Sequence, residues 1–351
     1  MNLQDSVQNA LNQVVDQGLE CGCQAAVFID GRLEASAWAG WTDWSRTRPV
    51  DEDTIFPVYS AGKPPCSTVL HRLVEAGKLR YDSHIRDFWP EFACNGKETM
   101  QVWHVLAYRA GLFTIPQATA EEMADFTLMM RKMAAAHPAT PPGTRQIYHP
   151  ITYGWLAGGI ACRVLGRQDY PAIFHDLVGA PARMDRFFYG AGDEESRNAA
   201  YLVPASDGSV LDPQGLAWMN TSLARRCCNP AACAMSNALS IARHYAALDT
   251  GALLSPATIE KAARPWRSPA DPFEFVLPNW KFFGLGYALS GPVGDVSRHI
   301  GHAGWNGAQG VLDRKHHIAI GFTRNVFAEP NHSCQAFFNA IGFKDRDWPT
   351  A

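Results

Sequence analysis

Ser60-Ala61-Gly62-Lys63 sets a hydroxyl and an amine three residues apart, and the flanking segments say how they are held. Before it, Thr54-Ile55-Phe56-Pro57-Val58-Tyr59 reads as strand or extended chain. After it, Val69, Leu70, Leu73 and Val74 recur at helical spacing up to Gly77, a C-terminal stop. Pro64 and Pro65 fit only the first turn of a helix, where backbone N–H groups have no partner to lose. Ser60 and Lys63 are therefore expected at a helix N-terminus, facing the same way. A lysine desolvated there can take the serine proton, and the helix dipole favours the negative charge that develops.

A four-residue pattern recurs by chance, and a serine at this place is also a helix cap for purely structural reasons. Two later segments add to it. Arg145-Gln146-Ile147-Tyr148-His149-Pro150 follows Pro141-Pro142-Gly143 and precedes the apolar helical run from Trp155 to Val164. Near the end, Gly301-His302-Ala303-Gly304-Trp305-Asn306-Gly307 precedes a strand-like run from Ile318 to Phe322. Serine and lysine, then a tyrosine, then His-x-Gly before a late strand make an ordered set. Val58-Tyr59-Ser60-Ala61-Gly62 lacks the first glycine of a G-x-S-x-G elbow, which sets that hydrolase class aside.

With these motifs in hand, the chain resembles the serine β-lactamase and penicillin-binding-protein superfamily. The similarity is to its class C-like branch, which holds the family VIII carboxylesterases and related acyltransferases. Ser60-x-x-Lys63 matches the first motif and Tyr148 the tyrosine of Tyr-x-Asn. His302-Ala303-Gly304 matches the His-x-Gly that esterases carry where lactamases have Lys-Thr-Gly. Leu73 to Leu79, Ala110-Gly111-Leu112, Pro142-Gly143-Thr144 and Gly284-Leu285-Gly286-Tyr287 resemble the family's flanking segments, so the likeness covers nearly the whole chain. It implies Ser60 as nucleophile, Lys63 and Tyr148 as general base and acid, and His302 and Gly304 at the substrate. The N–H groups of Ser60 and Trp305 are implied as the oxyanion hole. Tyr59, Phe282, Phe283, Tyr287 and Asn306 lie beside motif positions and are pocket candidates. Two departures matter. Pro150 replaces the asparagine that binds a substrate amide, and His302 replaces a lysine that would pair with a lactam carboxylate. Arg324 or Asn306 is a candidate substitute for either.

Composition bounds the partners. Hydrophobic residues make up 47% and charged residues 19% of 351, which suits a globular enzyme, and a net charge of −3 gives no reason to expect nucleic acid or anionic membrane. The first residues lack a leader pattern and no apolar run spans a bilayer, so a cytoplasmic protein with reduced thiols is expected from its nine cysteines. No cofactor is expected. Cys21-x-Cys23, Cys227-Cys228 and Cys233 lack zinc spacing, and His316-His317, adjacent on an expected strand, point to opposite faces.

The expected organisation is an α+β, β-lactamase-like fold. Residues 3 to 18 read as an amphipathic helix, 25 to 39 as a hairpin turning at Asp30-Gly31, and 66 to about 250 as mostly helical. Thr119-x-x-Glu122 is a capping box, and Cys334 to Ile341 a closing helix. Residues 1–60 and 280–351 are assigned to a lobe with an antiparallel sheet flanked by terminal helices, and 61–279 to a mostly helical lobe, with the site at their junction. The expected function is a serine hydrolase that passes an acyl group from a small ester-like donor to water. The alternatives are transfer to an alcohol or amine, and a catalytically silent ligand-binding protein of the same fold.

Overall fold

A continuously buried strand, an alternating one and one tight turn start the sheet. β1 (Gly22–Ile29) and β2 (Arg32–Gly40) pair antiparallel with Gly22 opposite Gly40. Asp30 and Gly31 carry φ of 50° and 73°, the two left-handed positions of a type I′ turn. The structure is a computed structural model and describes residues 2–267, 271, 280, 282–292 and 294–342. Three short strands, β3 (Phe56–Pro57), β4 (Phe187–Tyr189) and β5 (Ala234–Ser236), form a separate sheet in the order β3-β5-β4. The last five are β6 (Phe282–Phe283), β7 (Ala288–Ser290), β8 (His299–Ala303), β9 (Gln309–Asp313) and β10 (Ile318–Arg324).

The main sheet runs β2-β1-β10-β9-β8-β7-β6 with every pairing antiparallel. Strands from both ends of the chain therefore close one sheet. On one face Val7, Leu11 and Val14 of the helix Leu3–Asp16 join Cys23, Ala25 and Val27 in the core, and the closing helix His332–Ala340 packs beside them. Alternation puts Ala26 on the other face, in register with Gly321, which pairs with Gly310. That strip of small residues receives the helix Ala238–Asp249, whose Ala238 and Ala242 cluster with Ala26.

Two expectations change here. The span 66–250 holds β4 and β5 as well as helices, and the helix Ala238–Asp249 packs on the sheet instead of among the helices before it. Its periodicity marks a buried face but not the partner of that face. His316 and His317 sit in the turn between β9 and β10, where His316 meets Asp313 and His317, at φ 55°, meets Asp249. Residue 279 and residues 343–351, which the expected lobes include, lie outside the described residues. No helix among the described residues is long and apolar enough to cross a membrane.

Close approach at Gly321 is a sharp packing constraint, since a Cβ there would collide with the Ala238 carbonyl oxygen. Backbone cannot yield as a flexible side chain can. Gly321→Ala is expected to cost about 1–3 kcal/mol, the usual penalty of overpacking. Urea unfolding should show it as a lower midpoint at unchanged m-value.

Candidate active site

The chain reaches Ser60 through a strained step. Val58 N–H bonds Ala234 O at 2.9 Å, continuing the small sheet, and Tyr59 then takes a left-handed φ of 45°. A 3₁₀ turn over Tyr59–Gly62 leads into the helix Lys63–Glu75, with prolines in its first turn. Ser60 is thus one short turn ahead of the helix, and the Lys63 N–H caps onto its carbonyl. Lys63 is fully buried, and its Nζ lies 2.7 Å from Ser60 Oγ, 2.7 Å from Pro150 O and 2.8 Å from Ala231 O. Burial pushes this amine well below its ordinary range. A neutral amine has two N–H donors and one lone pair; the two carbonyls accept from the donors, and the lone pair is left for the serine hydroxyl.

Tyr148 comes from a loop without regular structure, pinned to the segment 107–112. Ile147 N–H bonds Tyr108 O at 2.9 Å, and His149 bridges Ile147 O at 2.6 Å and Leu112 N–H at 3.2 Å. The Tyr148 ring stacks on Phe283 with centroids 5.5 Å apart. Its hydroxyl lies 3.0 Å from Ser60 Oγ and 3.3 Å from His302 Nε2. Burial pushes the phenol above its ordinary range, only partly offset by the Ser60 hydrogen bond. Tyr148 is therefore the neutral phenol at neutral pH. Lys63 Nζ sits 5.0 Å from its ring centroid, with Pro150 O and Ala231 O as the two carbonyl acceptors.

His302, on β8, donates Nδ1–H to Ala303 O at 2.7 Å, which leaves Nε2 as the acceptor facing Tyr148. Burial, helped by the nearby Lys63 amine, brings its pKa down to about 3. The next residue but one sets the backbone approach. A Cβ on Gly304 would collide with Val58 O, so only glycine lets the end of β8 come this close to the serine turn. Among the described residues, the Ser60 and Trp305 N–H groups have no backbone acceptor. Trp305 is 55% exposed and meets Tyr59 and Phe327 edge-on, at 6.2 and 5.7 Å between centroids.

A cavity of about 970 Å³ opens at Ser60, with Tyr148, Gly304, Trp305 and Tyr59 on its wall. The other pocket candidates stand elsewhere. Tyr287 is buried with its hydroxyl 2.7 Å from Thr68, Phe282 pairs with Leu289 at the far edge of the sheet, and Asn306 donates to Pro57 O and Arg324 O. Arg324 is equally engaged, held by Glu20 at 2.8 Å in the interior. The wall is instead built from Ile115, Met123, Ile151, Trp155, Leu211, Trp218 and Met219. Cys227 and Cys233 complete it, and its only charged side chains among the described residues are Asp212 and Glu329. Asp212-Pro213 is legible as a helix start, and Asp212 does cap Pro213–Met219. That this helix walls Ser60's cavity has no local signal. Among the described residues no group of three or more His, Cys, Asp or Glu could hold a metal.

A buried lysine and tyrosine sharing one serine hydroxyl, on a sheet closed by both chain ends, place this protein in the class of serine hydrolases of the β-lactamase fold. The comparison with known families is specific: the chain belongs to the β-lactamase family, whose model matches residues 10–338. The esterase/β-lactamase LipL of Mycobacterium tuberculosis is 28% identical over 344 residues, spanning 88% of this chain and 78% of its own length. A β-lactamase of Escherichia coli is 22% identical over 57% of this chain, which spans about half (52%) of that relative. Among solved structures, a family VIII carboxylesterase has a TM-score of 0.84 at 26% identity and covers 96% of this chain and 97% of its own. A penicillin-binding-protein homologue from Caulobacter crescentus has a TM-score of 0.81 at 27% identity, covering 97% of both chains.

The buried imidazole offers a direct check on the site's electrostatics. A group with depressed pKa stays neutral in the fold while the unfolded chain takes a proton near pH 6.5. The stability it contributes is therefore lost as pH falls from there toward about 3. The His302 ring signal in NMR should stay constant between about pH 8 and about pH 5, where an exposed histidine titrates.

Proposed function

We propose that this protein is a carboxylesterase working through a Ser60 acyl-enzyme. The contact that carries the reading is Lys63 Nζ at 2.7 Å from Ser60 Oγ, with Pro150 O and Ala231 O accepting its two N–H groups. Ser60 Oγ attacks the acyl carbon as its proton passes to Lys63. The N–H groups of Ser60 and Trp305 receive the oxyanion, and Tyr148 hands a proton to the departing alcohol. Water then gives a proton to Tyr148 as it attacks the acyl carbon, and Lys63 returns its proton to Ser60 Oγ as the acid leaves. His302, neutral, accepts from Tyr148 and orients its hydroxyl when the phenol is not donating toward Ser60.

Uncharged acyl donors fit the surroundings. The wall is apolar and aromatic, its charged members Asp212 and Glu329 are both carboxylates, and Asn306 and Arg324 are committed elsewhere. A volume of about 970 Å³ accommodates acyl groups well beyond short ones. The same space holds an acceptor alcohol beside the acyl group, which favours acyl transfer as a second reading. Product analysis with added alcohols or amines separates the two. All nine cysteines are free, which fits work in the reducing cytoplasm.

Ser60→Ala should abolish labelling by a fluorophosphonate in intact-mass spectra and lower kcat on a p-nitrophenyl ester by at least about 10³. Labelling that survives the substitution would remove Ser60 from the role, and absence of turnover across a broad ester panel would favour the silent binding protein. The acid limb of kcat/KM should rise with pH as Lys63 loses its proton, and it should lie below the ordinary lysine range.

Nitrocefin supplies the complementary test. Lacking the lysine and asparagine partners of a lactam, the enzyme should hydrolyse it with kcat/KM roughly 30- to 1,000-fold below the p-nitrophenyl ester, matching about 2–4 kcal/mol of lost transition-state binding. Lactam hydrolysis at or above the ester rate would mean that Pro150 and His302 do not set the preference.

A further inference from the structure

Two thiols on the cavity wall take no part in the acyl chemistry. Cys227 and Cys233 both face the cavity, their thiols are close enough to interact, and both are otherwise buried. The Cys233 thiol also meets Trp218, and Cys227 Sγ lies 3.7 Å from Met123 O. The chain between them carries the acceptor that holds the lysine. Ala231 O takes hydrogen bonds from Lys63 Nζ at 2.8 Å and Ser60 Oγ at 3.3 Å. Asn229 ties this segment together, with Oδ1 accepting from Ala231 N–H and its carbonyl from Cys233 N–H, both at 2.9 Å.

We propose that Cys227 and Cys233 are a peroxide-oxidisable dithiol whose closure to a disulfide displaces the Ala231 carbonyl and reversibly lowers esterase activity. A disulfide needs its sulfurs about 2.0 Å apart, well inside a hydrogen-bond contact. Drawing the two ends together must be taken up by the segment between them, because Cys227 and Cys233 are anchored in packed surroundings on either side. Peroxide is water-sized and enters where an ester would. The hydrogen bond to Cys227, then burial, push the Cys233 thiol well above its ordinary range. When oxidation begins at Cys227, its sulfur attacks one peroxide oxygen to give a sulfenic acid and water. The Cys233 sulfur then displaces that hydroxyl, which leaves with the Cys233 proton as a second water. Two electrons pass from the sulfurs to the peroxide, two S–H bonds are lost and one S–S bond forms. Cys228 is absent from the cavity wall and packs against the main core, so it serves as a control.

The effect on activity rests on the role given to Lys63, whereas formation of the bond does not. The full chain, reduced and then treated with hydrogen peroxide, should lose two hydrogens in intact mass and yield a Cys227–Cys233 cross-link in a non-reducing peptide map. Its kcat/KM on a p-nitrophenyl ester should fall about ten- to a hundredfold, as small displacements in a catalytic site do, and return with dithiothreitol. Oxidation of Met123 or Met219 would add oxygen instead and would not be reversed by that reagent. In Cys227→Ser and in Cys233→Ser the ratio of treated to untreated activity should stay near one, while Cys228→Ser should respond as the unmodified chain does. Oxidation of one thiol without the cross-link, or a cross-link that leaves kcat/KM unchanged, overturns the proposal. A cross-link in a preparation that hydrolyses no ester counts against the Ser60 reading and for the dithiol.

Discussion

A lysine amine with no access to water, held by one hydroxyl and two carbonyls, is the constraint around which this structure is arranged. Each partner of Lys63 comes from a different part of the chain: Ser60 from the turn after β3, Pro150 from the tyrosine loop, Ala231 from the segment before β5. Charged, the amine would have to give up its hydration in the interior at a cost of several kcal/mol. Neutral, it needs only two acceptors and a hydroxyl, and that is the set it has. Fold and protonation state support each other, because moving any one of the three segments leaves a buried donor unpaired.

Neutrality extends from the lysine to its neighbours. Burial lowers His302 to about 3 and raises Tyr148, so imidazole and phenol both remain uncharged at neutral pH. The resting site formed by Ser60, Tyr148 and His302 therefore carries no charge. It is poorly suited to holding an anion, and the carboxylates Asp212 and Glu329 on the cavity wall reinforce that bias. A fixed lysine at position 302 would reverse it by placing a cation beside Ser60 and Tyr148.

The backbone achieves this geometry through close contacts more than through strong individual bonds. Tyr59 is turned left-handed to aim Ser60, at a cost on the order of 1 kcal/mol or more for a residue with a side chain. Gly304 brings the end of β8 against Val58, and Ser60 and Trp305 both line the cavity. Behind them, the strip formed by Ala26, Gly310 and Gly321 seats the helix Ala238–Asp249 tightly enough to keep β9 and β10 in place.

Local chemistry made a good part of this legible in the chain itself. The prolines after Lys63 could only begin a helix, and Asp30-Gly31 could only turn tightly. Each is decided by backbone sterics or by the needs of one side chain within a few residues. Tertiary packing decided the rest. Phe282, Tyr287 and Asn306 stand beside motifs in sequence yet turn away from the cavity, because strand alternation and buried hydrogen bonds claim them first. The wall residues Leu211, Trp218 and Met219 are distant from every motif, and the helix Pro213–Met219, with the residues just before it, brings them to the site. A sequence specifies which faces must be buried, whereas which buried face meets which is a property of the whole chain.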